Sequence, residues 1–134
     1  MKIYLASSFG LLKEVEALAS ELARRGHTLT CRWWTKSFHE TNTVANGGFY
    51  SKATIRAVGM RNLKKIDQAD ILIFLTSTTK LEKHTGGNIE VGYAFGKDKP
   101  VIIVGIIKES AMYSPAIHVD TVAELWLVLE EFER

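Results

Sequence analysis

Cysteine, proline and long apolar runs are all scarce in this chain. A single cysteine, Cys31, among 134 residues excludes an internal disulfide and any multi-cysteine metal site, and fits a reducing cytoplasm. In the stretch Thr28 to Trp34 it reads as core filler. No segment approaches the ~20 apolar residues of a membrane span, and the apolar run in Met1-Lys2-Ile3-Tyr4-Leu5-Ala6 is too short for a signal peptide. The expectation is a soluble, cytoplasmic protein with no membrane partner. A dominant charge is lacking too: 17 Lys and Arg against 15 Asp and Glu leave a formal +2. With no basic block and no aromatic-basic interleaving, polymeric nucleic acid is not implied as a partner. The histidines His27, His39, His84 and His118 share no ligand spacing on one element, so neither a metal nor another cofactor is expected.

What is present is enough apolar material, 46% of residues, for one domain spanning residues 1–134. Ile3 to Ala6 reads as a short buried strand running into the polar turn Ser7-Ser8-Phe9-Gly10. Leu11, Leu12, Val15, Leu18, Ala19, Leu22 and Ala23 then recur at helical spacing, and Gly26 stops the helix. The pattern predicts a second strand over Thr28 to Trp34 and a long polar excursion over Thr35 to Tyr50, with Asn46-Gly47-Gly48 and His39 as a candidate lid. Ser51 to Gln68 reads as helix interrupted at Gly59, either kinked or split in two. Asp70 to Leu75 and Pro100 to Val104 are apolar enough for strands buried on both faces, and Gly87 to Gly96 is predicted as the helix between them. A short strand near Ile117 to Val119 precedes a last helix that opens on the capping-box pattern Thr121-Val122-Ala123-Glu124. Such alternation implies α/β architecture: a single doubly wound, flavodoxin- or Rossmann-like domain with a mainly parallel sheet of about five strands.

In that fold ligands bind beyond the carboxyl ends of the strands, which draws attention to Thr85-Gly86-Gly87-Asn88-Ile89-Glu90-Val91-Gly92-Tyr93-Ala94. Glu90 follows two glycines just inside a helix, at the rim after the third strand. Gly86 and Gly87 leave room for a ligand near the backbone, and the helix dipole favours the charged carboxylate. The structural alternative is an ordinary first-turn acid. Ser7, Ser8, Phe9 and Gly10 offer hydroxyls and backbone N–H groups at a helix start, which suit an anion. Of Trp33 and Trp34, strand alternation directs one inward and the other outward, where it either stacks on a base or covers a helix or subunit contact. Asp70 is read as structural, capping the turn before its strand.

Taken together, Tyr4-Leu5-Ala6-Ser7-Ser8-Phe9, Asn62-Leu63, Ala69-Asp70-Ile71-Leu72-Ile73, Gly86 to Ala94 and Lys99-Pro100-Val101 resemble the nucleoside 2-deoxyribosyltransferase family. The resemblance spans most of the chain. That family, with relatives that hydrolyse deoxynucleoside 5'-monophosphates, uses the glutamate of a Gly-x-x-x-Glu-x-Gly-Tyr motif as nucleophile on the anomeric carbon. This implies Glu90 as the catalytic residue, with Asn88 beside it and Ser7, Ser8, Phe9 and Gly10 holding base or phosphate. One departure is visible: where the family usually carries an aspartate that helps position sugar and base, this chain has Asn62, flanked by Arg61. Family sites lie near subunit interfaces, so the resemblance also implies a homodimer or higher oligomer. It makes Ser110 and Tyr113, in the loop after the fourth strand, candidates for reaching a partner's site.

The chemistry so implied is cleavage or transfer at an N-glycosidic bond of a (deoxy)nucleoside or its 5'-monophosphate. A carboxylate below the sugar stabilises the oxocarbenium-like transition state or forms a covalent glycosyl intermediate. Water as acceptor gives a hydrolase, a second base a transferase. His84 is the nearest acid in sequence, against the alternative of a solvated loop histidine. Arg32, Arg56 and Arg61 are further candidates for a phosphate, each equally readable as a surface group. Two other readings stay open: a non-catalytic nucleotide-binding or sensing module on the same scaffold, and the lysine-decarboxylase-like phosphoribohydrolase group, whose longer glycine-rich phosphate signature is absent here.

Overall fold

Uninterrupted apolar runs set the framework. Ile71 to Leu75 and Val101 to Val104 are buried at every position, as is β1 after its first residue, so these strands need a helical layer on each side. The structure, a computed structural model, describes residues 1–35, 52–81, 85–108 and 111–134. Its elements are β1 (Lys2–Ala6), a 3₁₀ turn (Phe9–Leu11) leading into α1 (Leu12–Arg24), β2 (Thr28–Leu29), α2 (Lys52–Asp67), β3 (Ile71–Leu75) and α3 (Thr85–Gly96). They continue with β4 (Val101–Val104), a second 3₁₀ turn (Ala111–Tyr113), β5 (Ile117–Val119) and α4 (Val122–Glu133).

The strands form one sheet in the order β2-β1-β3-β4-β5, with every neighbouring pair parallel. The doubly wound α/β domain expected from the sequence is what is found. From β1 the chain moves out to β2 and then returns past β1 to β3, so the direction of winding reverses between β1 and β3. Connections diverge there and leave a crevice at the carboxyl ends. One face carries α1 and α4, where the Arg25 guanidinium lies 4.0 Å from the Trp126 ring centroid. On the other, α2 and α3 are tied by Tyr93 Oη donating to Asp67 Oδ1 at 2.8 Å. Among the described residues no helix is long and apolar enough to cross a membrane.

Local signals read from the sequence explain the element ends. Gly26, at φ +92°, closes α1: its N–H bonds Ala23 O and the N–H of His27 bonds Leu22 O, each at 3.0 Å, the paired pattern of a left-handed helix stop. Thr121 Oγ1 accepts from the Glu124 N–H at 3.3 Å, as its capping-box pattern requires.

Three expectations need correction. β2 ends at Leu29, not Trp34. Thr28 and Thr30 donate in turn to Met1 O and Ile3 O, but the next acceptor in that series, Leu5 O, is taken by the indole N–H of Trp33 at 2.7 Å. A side chain thus ends the ladder, and residues 33–34 form a turn. The in-and-out alternation fails with it: Trp33 and Trp34 are both buried, at 8% and 5% exposure, packed edge to face with centroids 5.7 Å apart. Second, α2 runs as one helix through Gly59, so the split alternative fails; a glycine weakens a helix by about 1 kcal/mol without having to break it. Third, α3 begins at Thr85, two residues before the expected start. The lid stretch with His39 and Asn46-Gly47-Gly48, and His84 and Ser110, lie outside the described residues.

Candidate active site

The site is built on the switch between β1 and β3. Its centre is a pair of side chains from different elements: Tyr4, fully buried in the middle of β1, donates its hydroxyl to Oε2 of Glu90 on α3. A phenol inside an otherwise aliphatic strand must find a partner for its O–H, and the helix crossing the strand supplies one. Burial, and then the adjoining carboxylate, push the Tyr4 phenol far above its ordinary range. It stays protonated and can only donate. Among the described residues, Glu90 Oε1 accepts no hydrogen bond, so one carboxylate oxygen is held and the other is available.

Glu90 itself is pushed up to about 7, because burial outweighs the opposing effect of the Tyr4 hydrogen bond. The expected preference for the charged form through the helix dipole is therefore not what dominates. Since α3 starts at Thr85, Glu90 lies in its second turn, and the dipole effect fades within the first. A desolvated carboxylate that titrates near neutrality is a common property of catalytic groups.

The glycines before Glu90 divide their roles. A Cβ on Gly87 would meet Phe74 Cε1 at 2.7 Å, so this glycine exists to bring α3 down onto β3, and thereby sets the depth of Glu90. Nothing lies within 4 Å of a Cβ on Gly86, and the residue is exposed. Only Gly86 fits the expected role of leaving space.

The first loop divides similarly. Ser7 Oγ donates to Leu75 O at 2.7 Å, pinning the end of β1 to the end of β3. Its proton is thus committed to structure. Ser8 precedes the 3₁₀ turn in extended conformation, with no side-chain cap bond. Its Oγ is shielded from solvent and has no partner among the described residues. Phe9 and Gly10 supply backbone N–H groups where the 3₁₀ turn opens, since the first bond of that turn runs from Leu11 N to Ser8 O. Donors at a helix start beside a hydroxyl without a partner among the described residues are groups that suit an anion.

Asn62, half-buried on α2, has its Oδ1 3.9 Å from Cys31 Sγ. Burial foremost raises the Cys31 thiol, and the Glu90 charge adds to this, so the thiol lies near Glu90. Cys31 belongs to the core as expected, yet it also touches Asn62. Asn88, exposed on α3, accepts from Tyr113 Oη. Tyr113 therefore contacts the rim of its own chain. At the rim below, Gly105 at φ +111° follows β4, and a Cβ there would lie 2.4 Å from Thr76 Oγ1. Asp70 sits at the other end of the sheet, accepting from Lys2 N at 2.8 Å, a structural role as read from the sequence. Arg32 and Arg56 are exposed, while Arg61 and Lys65 lie close enough to act electrostatically on Cys31. No group of three His, Cys, Asp or Glu side chains able to hold a metal occurs among the described residues.

The residue that sequence reasoning missed is Tyr4. Its signal was a hydroxyl in a run too apolar to leave it unpaired.

Fold and site together define a doubly wound α/β protein with a half-buried, tyrosine-held carboxylate at its switch point. The family model described as nucleoside 2-deoxyribosyltransferase matches residues 3–121, and the chain belongs to that family of enzymes. Among solved structures it is similar to a 2-deoxyribosyltransferase from Bacillus psychrosaccharolyticus, with a TM-score of 0.67 and 22% identity over 93% of this chain and 90% of that one. It is also similar to the CMP N-glycosidase of Clostridium botulinum, with a TM-score of 0.56 and 17% identity over 97% and 98%. At these identities the likeness is one of fold. No sequence match to a curated protein was found.

Proposed function

We propose that this chain cleaves or transfers at the N-glycosidic bond of a (deoxy)nucleoside or its 5'-monophosphate, with Glu90 as nucleophile. The observation that carries this reading is the Tyr4–Glu90 pair at the strand switch. Tyr4 holds Oε2 and orients the carboxylate; the ionised Oε1 attacks the anomeric carbon as the bond to the base nitrogen breaks. The departing base takes the electron pair and requires a proton. Water or a second base then attacks the glycosyl carbon and releases Glu90. Family membership supports the reaction class, as do the activities of the two structural neighbours.

The substrate's 5' end falls to Ser8 and the backbone of Phe9 and Gly10, with Gly86 and Asn88 across the rim. Replacing Ser8 with glutamate is expected to weaken 5'-monophosphates far more than nucleosides; equal loss for both would remove the phosphate assignment. Catalysis is proposed to need no metal, so full activity is expected in excess chelator. A cytoplasmic homodimer or higher oligomer completes the reading, for Met112 and Ile89, 77% and 65% exposed, give apolar surface beside the rim. A monomer peak in light scattering at micromolar concentration would contradict that.

The test of the reaction is chromatography of free base released from a panel of ribo- and deoxyribonucleosides and their 5'-monophosphates, by the parent and by Glu90→Ala. Release by the parent and none by the variant is expected. Ligand binding without release by the parent would make the protein a nucleotide-binding module instead.

A further inference from the structure

Strand register says which side chains meet α3. Ala6 pairs with Phe74 and Tyr4 with Leu72; paired residues on neighbouring strands point to the same face, as do residues two apart on one strand. Tyr4 and Phe74 therefore share a face. Both meet α3: the Tyr4 hydroxyl donates to Glu90, and the Phe74 ring lies where a Cβ on Gly87 would fall 2.7 Å from Cε1 and 3.0 Å from Cζ. Along α3, Gly87, Val91 and Ala94 are buried, spaced by four and three residues on one side of the helix. The helix thus rests on the sheet with no large side chain between them, and Gly87 lies on the ring itself. Phe74 is fully buried in a strand flanked by β1 and β4, so the ring has nowhere to retreat. Glu90 comes three residues later, about 4.5 Å along the axis. A change of height at Gly87 is carried to the carboxylate.

We infer that Phe74 is a positioning residue: its ring is the seat of α3, and the height it sets holds the Glu90 carboxylate on the Tyr4 hydroxyl. It acts through Gly87 and not on the substrate. A methyl added at Gly87 makes ring and helix part by about 1 Å to regain carbon contact at about 3.5–4 Å. Hydrogen-bond distances fall within a window of about half that width, so the same displacement takes Glu90 off Tyr4. The catalytic part of this inference rests on the glycosidic reading above, whereas the seat stands apart from it.

The experiment has two arms that separate those claims. The first uses no substrate: in protein isotope-labelled at the glutamate carboxyl carbons, the NMR signal absent from Glu90→Gln is that of Glu90, and its shift against pH gives the Glu90 midpoint. The Tyr4 hydrogen bond lowers that midpoint, so Tyr4→Phe is expected to raise it in the parent. In Gly87→Ala the contact is already broken, and adding Tyr4→Phe is expected to move nothing. In Gly87→Ala with Phe74→Leu the smaller side chain gives the methyl room, and the effect of Tyr4→Phe is expected to return. A group that only fills the core would change the melting temperature and leave this coupling alone. Equal shifts in all three backgrounds would overturn the seat. So would a shift still absent from the folded Phe74→Leu, Gly87→Ala protein, a comparison that decides the question even where Gly87→Ala alone does not fold. In the kinetic arm, Gly87→Ala is expected to lower kcat roughly 10- to 100-fold with KM within about threefold, and Phe74→Leu to recover about tenfold of that loss. A further loss on adding Tyr4→Phe to Gly87→Ala, as large as in the parent, would overturn the positioning role. No turnover by the parent would overturn the catalytic part together with the glycosidic reading, while the NMR coupling still decides the seat.

Discussion

Two carboxylates serve the same central strands and have been put to opposite uses. Asp70 stands at the entry to β3, exposed, with Oδ2 2.8 Å from the Lys2 amide it caps; its backbone N–H in turn donates to Lys2 O at 2.8 Å. Glu90 stands beyond the exit of the same strand, desolvated in the second turn of α3, with a buried phenol as its hydrogen-bond donor. Water and a backbone amide make Asp70 a fastener. Desolvation makes the charge of Glu90 costly to form, against the opposing effect of one directional O–H, the setting that the proposed cation-like transition state would use. At the amino end Asp70 ties β1 to β3, and the carboxyl end is where open α/β sheets bind ligands.

The sharpest way to break this comparison is to remove each acid in turn. Glu90→Ala is expected to lower base release by at least about 10³-fold, the scale of losing a nucleophile, whereas Asp70→Asn leaves kcat/KM within about twofold and costs under about 1 kcal/mol of stability. Similar losses in both would erase the distinction. Glu90→Gln probes the cost of desolvation without catalysis. Its folded pKa, about 7, lies above the ordinary 4.5, so the folded protein resists ionising it, and stability is lost as pH rises from the lower value through the higher. The glutamine variant is therefore expected to be more stable than the parent by up to about 3 kcal/mol at pH 8, with the gap closing toward pH 4. Denaturant midpoints at the two pH values check this; a gap of equal size at both would mean that burial does not shift Glu90.

Tyr4→Phe keeps the ring and deletes the O–H. A hydrogen bond to a charged group contributes about 1.5–3 kcal/mol, so turnover is expected to fall roughly 10- to 100-fold. The acid limb of the rate profile should move above its parent position, because the interaction that lowers Glu90 is gone. A limb that stays in place would detach Tyr4 from Glu90. The smallest test compares neighbours in sequence. Gly87→Ala drives a methyl into Phe74 and is expected to cost about 1–3 kcal/mol, while Gly86→Ala, with open space around it, is neutral or stabilising by up to about 1 kcal/mol. Thermal melts distinguish the two directly.

Much of this architecture is legible in the chain because each strand and helix carries its own period. The β3 and β4 runs have no polar face, α1 has a clean apolar stripe, and Gly26 and Thr121 mark helix ends through local chemistry. Glu90 is legible for a similar reason, being an acid beside glycines at a strand exit. What escapes is contact between segments distant in sequence. Tyr4 and Glu90 are 86 residues apart, and nothing local to either announces the other. Trp33 ends β2 by bonding Leu5 O across 28 residues, an outcome that strand alternation cannot foresee. Gly87 looks like a ligand-side glycine until the ring of Phe74 appears beneath it. Tyr113 also contacts Asn88 of its own chain, a link across 25 residues that neither segment announces.

The central claim is that the desolvated Glu90 carboxylate attacks the sugar. Its most direct measurement is mass spectrometry of protein quenched in acid during turnover of a substrate found in the base-release panel. A glycosyl adduct on the peptide containing Glu90, present in the parent and absent from Glu90→Ala, is the expected result. Base release that persists in the variant, or an adduct on a different residue, would contradict it.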